Sequence, residues 1–160
     1  MRDLAAIWDY ASAEWEEISL FACSLGAYFS LQAYNGKPIK NCLFQSPILD
    51  MECLIRQMMI WFDVSEERLA QEREVDTPID VLSWDYYQFV KRNPIQRWDI
   101  PTYILFGTKD NLQSAQVVRD FAKRFDCTLT EAENREHAFM ADGDDRIIRQ
   151  WIEKSIVPGI

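Results

Sequence analysis

The sequence predicts an α/β domain in which helices cover both faces of a mostly parallel sheet. Helical and strand-like patterns alternate along the chain, which is typical of this class. The predicted strands are short and nearly all apolar, as strands buried on both faces are. With 160 residues and 48% hydrophobic content, the chain is long enough for one domain with a sizeable core. We therefore expect a single domain over residues 1–160, a three-layer sandwich whose sheet has about four strands.

The first third of the chain supplies two helices and two strands. Apolar residues recur from Leu4 to Ala11 at the spacing of one helix face. Gly36 and Pro38 end the second helix, because glycine caps helices and proline cannot continue them. The elements predicted here are a helix over 4–15, a strand over 18–23, a helix over 25–34 and a strand over 41–45.

The middle of the chain, from Asp50 to Trp98, has a different composition. It is rich in charged and aromatic residues and helical in pattern, and proline-containing turns interrupt it at 76–78 and 93–94. We expect a helical insertion into the sheet domain over about 50–98, and not a second domain. The elements predicted after it are a strand over 102–106, a helix over 118–125, a short strand over 127–130 and a closing helix over 147–152.

Composition and charge argue against several classes of function. The chain has 17 basic and 26 acidic residues and a formal charge of −9, which disfavours nucleic acid and anionic membranes as partners. No apolar run approaches the roughly 20 residues of a membrane span, and the first residues lack a signal-peptide pattern. The four cysteines lack CxxC spacing, so we expect reduced thiols and a cytoplasmic location. With one histidine and no glycine-rich phosphate loop, we expect no metal site and no cofactor.

Three candidate catalytic residues each follow the end of a predicted strand. Open parallel sheets place their functional sites at these ends. Ser24 follows strand 18–23, Asp110 follows strand 102–106, and His137 lies in a polar loop ahead of the last helix. Taken singly, such residues are more often a helix cap, a solvated charge and a structural histidine. Their chain order, however, is the nucleophile, acid, base order of one class of catalytic triad. A serine hydroxyl is a weak nucleophile near neutral pH, so the histidine must remove its proton and the acid must fix the tautomer.

The residues around Ser24 fit a tight turn from strand to helix. A one-residue connection brings the two backbones together, so the residues two before and two after must be small, as Ala22 and Gly26 are. A nucleophilic Cys23 would instead put the bulky residues Phe21 and Leu25 at those positions. Ser24 is therefore the better candidate. The N–H of Leu25, at the start of the helix, is free to bind an oxyanion.

The segments 18–34, Phe106-Gly107-Thr108-Lys109-Asp110 and His137-Ala138-Phe139 together resemble the α/β-hydrolase superfamily. The likeness is greatest to its serine esterases, its monoacylglycerol-lipase-like members and its serine-aminopeptidase-like members, and it covers nearly the whole chain from Leu4 onward. The roles that the resemblance implies are nucleophile for Ser24, acid for Asp110 and base for His137.

The resemblance also implies a function for the insertion, which falls where such enzymes carry a helical lid over the site. Its Met58, Met59, Trp61 and Phe62 would line an apolar pocket for an acyl group or a side chain, or else form the packing core of the lid itself. Asp50, at the start of the insertion, is a second-choice acid.

The sequence departs from the superfamily pattern in two residues and in length. In the tight turn around Ser24, which is called the nucleophile elbow in this superfamily, Ala22 stands where glycine is usual. Glu136 stands where glycine is common before the histidine. Members typically have further strands ahead of the segment that begins this chain, and residues 1–17 offer only a helix and a turn. No loop there supplies a second oxyanion donor, and loss of one such donor costs on the order of 10²–10³ in rate. We therefore expect an incomplete oxyanion hole and weak or absent catalysis.

The difference in length also predicts that strand 18–23 forms an exposed apolar edge. We expect this edge to be covered by a second copy of the chain in a homodimer, by a rearranged lid helix or by upstream sequence. The leading function is a serine hydrolase that cleaves a small ester, thioester or peptide bond through an acyl-enzyme. The alternatives are a weak or inactive hydrolase-like remnant that binds or assembles through this edge, and a plain α/β domain unrelated to hydrolases.

Overall fold

The computed structural model describes residues 2–156. The chain forms two compact units: the sheet unit, which contains the residues up to 49 and those from 97 onward, and the 50–96 unit. Within residues 2–156 no helix is both long and apolar enough to cross a membrane. The elements in chain order are α1 (Arg2–Glu14), β1 (Ser19–Cys23), α2 (Leu25–Ala33), β2 (Asn41–Gln45), α3 (Met51–Trp61), α4 (Glu66–Glu72), β3 (Glu74–Asp76), β4 (Val81–Ser83), α5 (Trp84–Arg92), β5 (Thr102–Gly107), α6 (Ala115–Arg124), β6 (Thr128–Ala132) and α7 (Asp144–Ile156).

The sheet unit is built on one four-stranded parallel sheet in the order β1-β2-β5-β6. Residues at or next to the start of neighbouring strands are paired: Ser19 with Asn41 at one side of the sheet, and Tyr103 with Thr128 at the other. The four strands therefore begin and end at about the same level. Their carboxyl ends therefore meet at a single edge. The number and direction of the strands confirm the predicted fold class.

Helices cover both faces of this sheet. On one face Phe44 and Ile104 are fully buried, and the indole Nε1–H of Trp98, whose ring centroid lies 6.0 Å from that of Phe44, donates to Thr102 Oγ1 at 2.8 Å. On the other face α7 packs through three isoleucines onto a buried core. That core consists of Leu43, Leu105, Ala132, Phe139 and Trp151, and the three isoleucines are Ile147, Ile148 and Ile152.

Strand β1 lies at an edge of the sheet, and the expectation that it is buried on both faces is wrong. Ser19 and Cys23 are exposed, and Phe21 is 50% exposed although its ring contacts Trp151 edge-on at 6.3 Å. Only Ala22, on the face that α2 covers, is buried. The reason is that β1 has a neighbouring strand on one side only, so its apolar sequence does not lead to burial. The result is the exposed apolar edge that the length comparison predicts.

The 50–96 unit contains three helices and an antiparallel hairpin. The ion pair Lys91 Nζ–Glu66 Oε1 (2.8 Å) joins α5 to α4, and Lys91 also lies over the ring of Tyr87 at 4.3 Å. In the hairpin, β3 pairs with β4 around a turn in which Thr77 N–H donates to the carbonyl of Asp80 at 3.1 Å. The sequence predicts the turn but not the strands, because three residues are too few to show a period of two.

Candidate active site

Three loops at the carboxyl edge of the sheet carry the residues singled out from the sequence. Ser24 follows β1 directly, Asp110 follows β5, and His137 lies between β6 and α7. Ser24 and His137 are 113 residues apart in the sequence, and Asp110 and His137 are 27 apart. The parallel sheet brings them together because its strands all end at this edge.

Ser24 occupies the single residue between β1 and α2, in a strained backbone conformation. Its φ of 52° and ψ of −124° lie where residues other than glycine are rare, and its N–H donates to the carbonyl of Gln45 at 3.1 Å. Its own carbonyl accepts the N–H groups of Ala27 and Ile48, both at 3.1 Å. These bonds hold the turn in place, so the strained conformation persists.

The neighbours of Ser24 are consistent with the predicted elbow. A Cβ built on Gly26 would lie 3.9 Å from the Cβ of Ala22, so strand and helix are in contact here and only small residues fit on both sides. Leu25 is the first residue of α2, where backbone N–H groups have no acceptor within the helix. Desolvation raises the pKa of the Cys23 thiol, which disfavours the nucleophilic thiolate.

His137 lies between Ser24 and Asp110. Its Nδ1 is 2.7 Å from Asp110 Oδ2, and its Nε2 is 2.8 Å from Ser24 Oγ. A carboxylate only accepts hydrogen bonds, so Nδ1 carries the hydrogen and Nε2 is left to accept the hydroxyl hydrogen of Ser24. The Asp110 side chain is fully buried, whereas that of His137 is 17% exposed. The three side chains thus form a hydrogen-bonded chain from a buried carboxylate to a serine hydroxyl, at distances suited to proton transfer.

The carboxylate of Asp110 is fixed by the loop that follows it. Its Oδ1 accepts the backbone N–H groups of Leu112 (2.8 Å) and Gln113 (3.3 Å). The N–H of Asp110 donates to the carbonyl of Gly107 at 2.9 Å, which closes the turn after β5. These bonds orient Oδ2 toward His137.

The loop that carries His137 packs tightly against the end of β5. A Cβ on Gly107 would lie 2.3 Å from the carbonyl oxygen of Arg135, so no residue with a side chain fits there without a shift. The same carbonyl accepts the N–H of Lys109 at 2.9 Å. The Arg135 guanidinium lies 3.1 Å from the buried carboxylate of Asp144. In the sequence Gly107 stands out only as the residue that follows strand 102–106, because its close neighbour Arg135 is distant along the chain.

The second-choice acid Asp50 has a structural role in the 50–96 unit. It is the N-cap of α3, where its Oδ1 accepts the N–H of Cys53 at 2.9 Å. This is the usual function of an aspartate directly before a helix.

The four apolar residues proposed for a pocket lie at the end of α3. Met58 and Met59 are buried, whereas Trp61 is 38% exposed and Phe62 is partly exposed. Met59 lines a cavity of about 520 Å³ within the 50–96 unit. Among its other lining residues are Arg56, Val64, Glu66 and Tyr87.

Two buried polar residues in the sheet unit contact the site and were not singled out from the sequence. The Ser46 hydroxyl donates to the backbone carbonyl of His137 at 2.7 Å, and Gln113 Oε1 accepts the N–H of Leu49 at 3.0 Å. Ser46 follows β2 directly, so the rule that sites lie beyond strand ends would have included it. Gln113 carries no comparable signal, because its acceptor role depends on a partner far away in the sequence.

Comparisons with known proteins identify the fold. No family model matches the sequence, and neither does any curated protein. Est1E from Butyrivibrio proteoclasticus, solved with ferulic acid bound, matches with a TM-score of 0.73 and 16% identity over 96% of this chain and 65% of that one. Alpha/beta hydrolase domain-containing protein 10 from mouse matches with a TM-score of 0.70 and 15% identity, over 96% and 67% of the two chains. The monoacylglycerol lipase of Paleococcus ferrophilus matches with a TM-score of 0.63 and 18% identity, over 96% and 74%.

Sheet order, loop positions and these matches define the chain as an α/β-hydrolase-fold protein. The resemblance read from the sequence is thereby confirmed at the level of the fold. The chain spans 65% of the length of Est1E and 67% of that of the mouse protein.

Proposed function

We propose that the chain is a serine hydrolase that cleaves a small ester, thioester or peptide bond through an acyl-enzyme. The proposal rests on one observation, the hydrogen-bonded series Asp110–His137–Ser24 with distances of 2.7 and 2.8 Å. A buried carboxylate, a histidine and a serine hydroxyl in this order are the parts needed to activate a serine.

The chemistry proceeds in two halves. As Ser24 Oγ bonds to the substrate carbonyl carbon, its proton passes to His137 Nε2, and Asp110 stabilises the imidazolium. The carbonyl oxygen becomes an oxyanion and accepts the N–H of Leu25. The oxyanion then returns to a carbonyl as the bond between the carbonyl carbon and the leaving group breaks, and His137 gives its proton to the leaving alcohol, thiol or amine. The acyl group stays on Ser24. Water adds by the same route, the acyl–Oγ bond breaks, the carboxylic acid leaves and Ser24 recovers its proton.

A fluorophosphonate probe tests this proposal, because it forms a stable bond with an activated serine. We expect one adduct on the wild-type chain and none on Ser24→Ala. Cys23→Ala is the matched control, since it removes a nucleophilic atom from the adjacent residue and should keep the adduct. An unlabelled wild type, or a labelled Ser24→Ala, would overturn the assignment.

Within the same proposal we expect slow turnover, because we assign only one oxyanion donor, Leu25 N–H. Removal of one of two donors costs on the order of 10²–10³ in rate in other hydrolases. Burst kinetics with an activated ester measure this. The good leaving group makes acylation the faster half-reaction, so we expect a stoichiometric burst of product followed by a slow steady state set by deacylation.

We further propose that the 50–96 unit acts as a lid and that its apolar residues accept the acyl group or side chain of the substrate. The buried Met58 and Met59 and the cavity of about 520 Å³ support this proposal. A series of p-nitrophenyl esters of increasing chain length provides the test. Met59→Ala should change kcat/KM for long acyl chains more than for acetate, and an equal change for all chains would argue against the lid.

The second candidate function is a binding or assembly module that uses the open edge of β1. Its support is a groove of about 630 Å³ between α1, β1 and α2, lined by Ile7, Phe21 and Phe29 among others. Homodimerisation through this edge predicts that light scattering detects dimers that dissociate on dilution and that Phe21→Ser weakens them. A monomer throughout the micromolar range would exclude the dimer.

We also propose a cytoplasmic location, on the basis of the free thiols. All four cysteines are unpaired, as is usual in a reducing compartment. Desolvation raises the pKa of both Cys42 and Cys127 to about 12, so these two thiols are protonated and unreactive at neutral pH.

A further inference from the structure

We propose that the buried segment Ser46–Leu49, here called the 46–49 segment, positions Ser24, His137 and Asp110 relative to one another. All four of its residues are buried. It begins directly after β2, the strand between those that lead to Ser24 and Asp110. Only the kinetic test of this inference rests on the proposed function. The contacts that support the inference concern the arrangement of the three side chains, whatever reaction they perform.

The 46–49 segment holds the backbone of Ser24. The N–H of Ile48 donates to the carbonyl of Ser24 at 3.1 Å. The residue just before the segment, Gln45, accepts the N–H of Ser24 at the same distance of 3.1 Å. Both backbone polar groups of the strained Ser24 are therefore bonded to the end of β2 or to the loop that follows it.

The same segment holds the backbone of His137 through the Ser46 hydroxyl. Ser46 is fully buried, and its Oγ donates to the His137 carbonyl at 2.7 Å across 91 residues of sequence. Its N–H donates to the carbonyl of Leu105 at 2.8 Å, which anchors it to β5. The His137 carbonyl is thereby bonded to a residue that is itself anchored to β5. His137 lies in a loop between β6 and α7, so this bond limits where the imidazole can move.

A third contact links the segment to Asp110. The N–H of Leu49 donates to Gln113 Oε1 at 3.0 Å, and the N–H of Gln113 donates to Asp110 Oδ1 at 3.3 Å. Gln113 is 1% exposed, so both bonds are shielded from water. The orientation of the acid is thus coupled to the same four residues as the nucleophile and the base.

The convergence of three contacts on four consecutive buried residues gives the segment a positioning role. A buried donor or acceptor without a partner is costly, so each contact strongly favours one arrangement. Catalytic groups displaced by about 1 Å lose on the order of 10²-fold in rate. Small shifts of the 46–49 segment would therefore change the Ser24–His137 and His137–Asp110 distances and slow the reaction.

Ser46→Ala tests this role, with Ser155→Ala as the matched control. Both variants remove a buried hydroxyl that donates to a backbone carbonyl, from His137 in one case and from Trp151 in α7 in the other (2.8 Å). Alanine keeps the Cβ of Ser46, whose φ is 44°, so the backbone strain is unchanged. We expect fluorophosphonate labelling of Ser46→Ala to slow by about 10- to 100-fold, and that of Ser155→Ala to stay within about twofold of wild type.

Proton NMR supplies a readout that does not depend on activity. The chain has one histidine, so no other imidazole N–H can be confused with the hydrogen-bonded Nδ1–H resonance of His137. We expect this resonance to move upfield or to be lost by exchange in Ser46→Ala and to remain in Ser155→Ala. If the wild type is not labelled, the proposed function fails while this comparison still tests the positioning role.

Equal behaviour of Ser46→Ala and Ser155→Ala in both measurements would overturn the inference. Should Ser46→Ala fail to fold, Gln113→Leu replaces it, since leucine fills a similar volume and removes the acceptor of Leu49 N–H. It should also slow labelling and shift the Nδ1–H resonance. A resonance and a labelling rate equal to those of wild type would again overturn the inference.

Discussion

The sheet unit and the 50–96 unit use polar side chains in opposite ways. In the sheet unit the decisive hydrogen bonds join residues far apart in sequence, such as His137 and Ser24, 113 residues apart, and they lie in largely buried surroundings. An example from the 50–96 unit is the pair Arg68–Glu72, one helical turn apart and about half exposed. Buried polar groups are costly unless they are bonded, whereas exposed ion pairs contribute little. Long-range buried polar contacts therefore mark the candidate site, and local exposed ones mark a solvated surface.

The largest effect should come from His137→Gln, which removes the base from the sheet unit. We expect the rate of fluorophosphonate labelling to fall by about 10⁴-fold or more, as in other serine hydrolases that lose this residue. The folded structure should persist, because glutamine is of similar size and is also polar, and the side chain at position 137 is not fully buried (17% exposed). Circular dichroism checks the fold, and a variant that labels at more than a tenth of the wild-type rate would exclude His137 as the base.

A matched pair of aspartates, one in each unit, gives the next largest effect. Asp110→Asn should slow labelling by about 10³–10⁴-fold, because an amide can donate to Nδ1 and so favours the wrong histidine tautomer. Asp50→Asn should leave labelling within a few-fold of wild type, because asparagine caps α3 as well as aspartate does. The labelling rates of the two variants, measured side by side, decide between the two acids. The reverse ranking would make Asp50 the acid.

Two glycines of the sheet unit should respond in opposite directions to alanine. At Gly107 a Cβ would lie 2.3 Å from the Arg135 carbonyl, so Gly107→Ala should lower the free energy of unfolding by about 1–3 kcal/mol. At Gly26, in α2, a Cβ meets Ala22 at an ordinary 3.9 Å, so Gly26→Ala should raise it by up to about 1 kcal/mol. Urea denaturation measures both values. Similar values for the two variants would contradict the close approach of the His137 loop to β5.

The smallest effect should come from the ion pair of the 50–96 unit. The hydrogen bond from Lys91 lowers the pKa of Glu66, so the stabilisation is present above the ordinary pKa of 4.5 and is lost as the pH falls through the lowered value. Lys91→Met should cost about 0.2–1 kcal/mol at neutral pH and nothing in strong acid, with labelling unchanged. Denaturant titrations at several pH values check this. A loss that is independent of pH would assign the effect to packing of the lysine stem on Tyr87.

Much of the sheet unit is predictable from sequence, because its elements depend on local patterns. Strand β2 has the bounds that its apolar run predicts, and Ser24 stands where a one-residue connection between strand and helix forces an exposed side chain. The order of Ser24, Asp110 and His137, together with the parallel sheet, was enough to expect that the three lie near one another.

The contacts that fix the site were not predictable, because they join residues that no local pattern relates. The Ser46 hydroxyl bonds a carbonyl 91 residues away, and the need for glycine at position 107 arises from the later residue Arg135. The predicted burial of β1 is wrong for a related reason, since an apolar strand is exposed or buried according to its neighbours in the sheet. The hairpin β3–β4 is too short for periodicity to reveal.

The central claim, that Ser24 and His137 act as one unit, is tested most directly by a double-variant comparison. Residual hydrolysis of an activated ester is measured for Ser24→Ala, for His137→Gln and for the variant that carries both. Because groups that act together lose their function together, we predict that the double variant is no slower than the slower single variant, within a few-fold. Losses that multiply, or a wild type with no hydrolysis above background, would contradict the account.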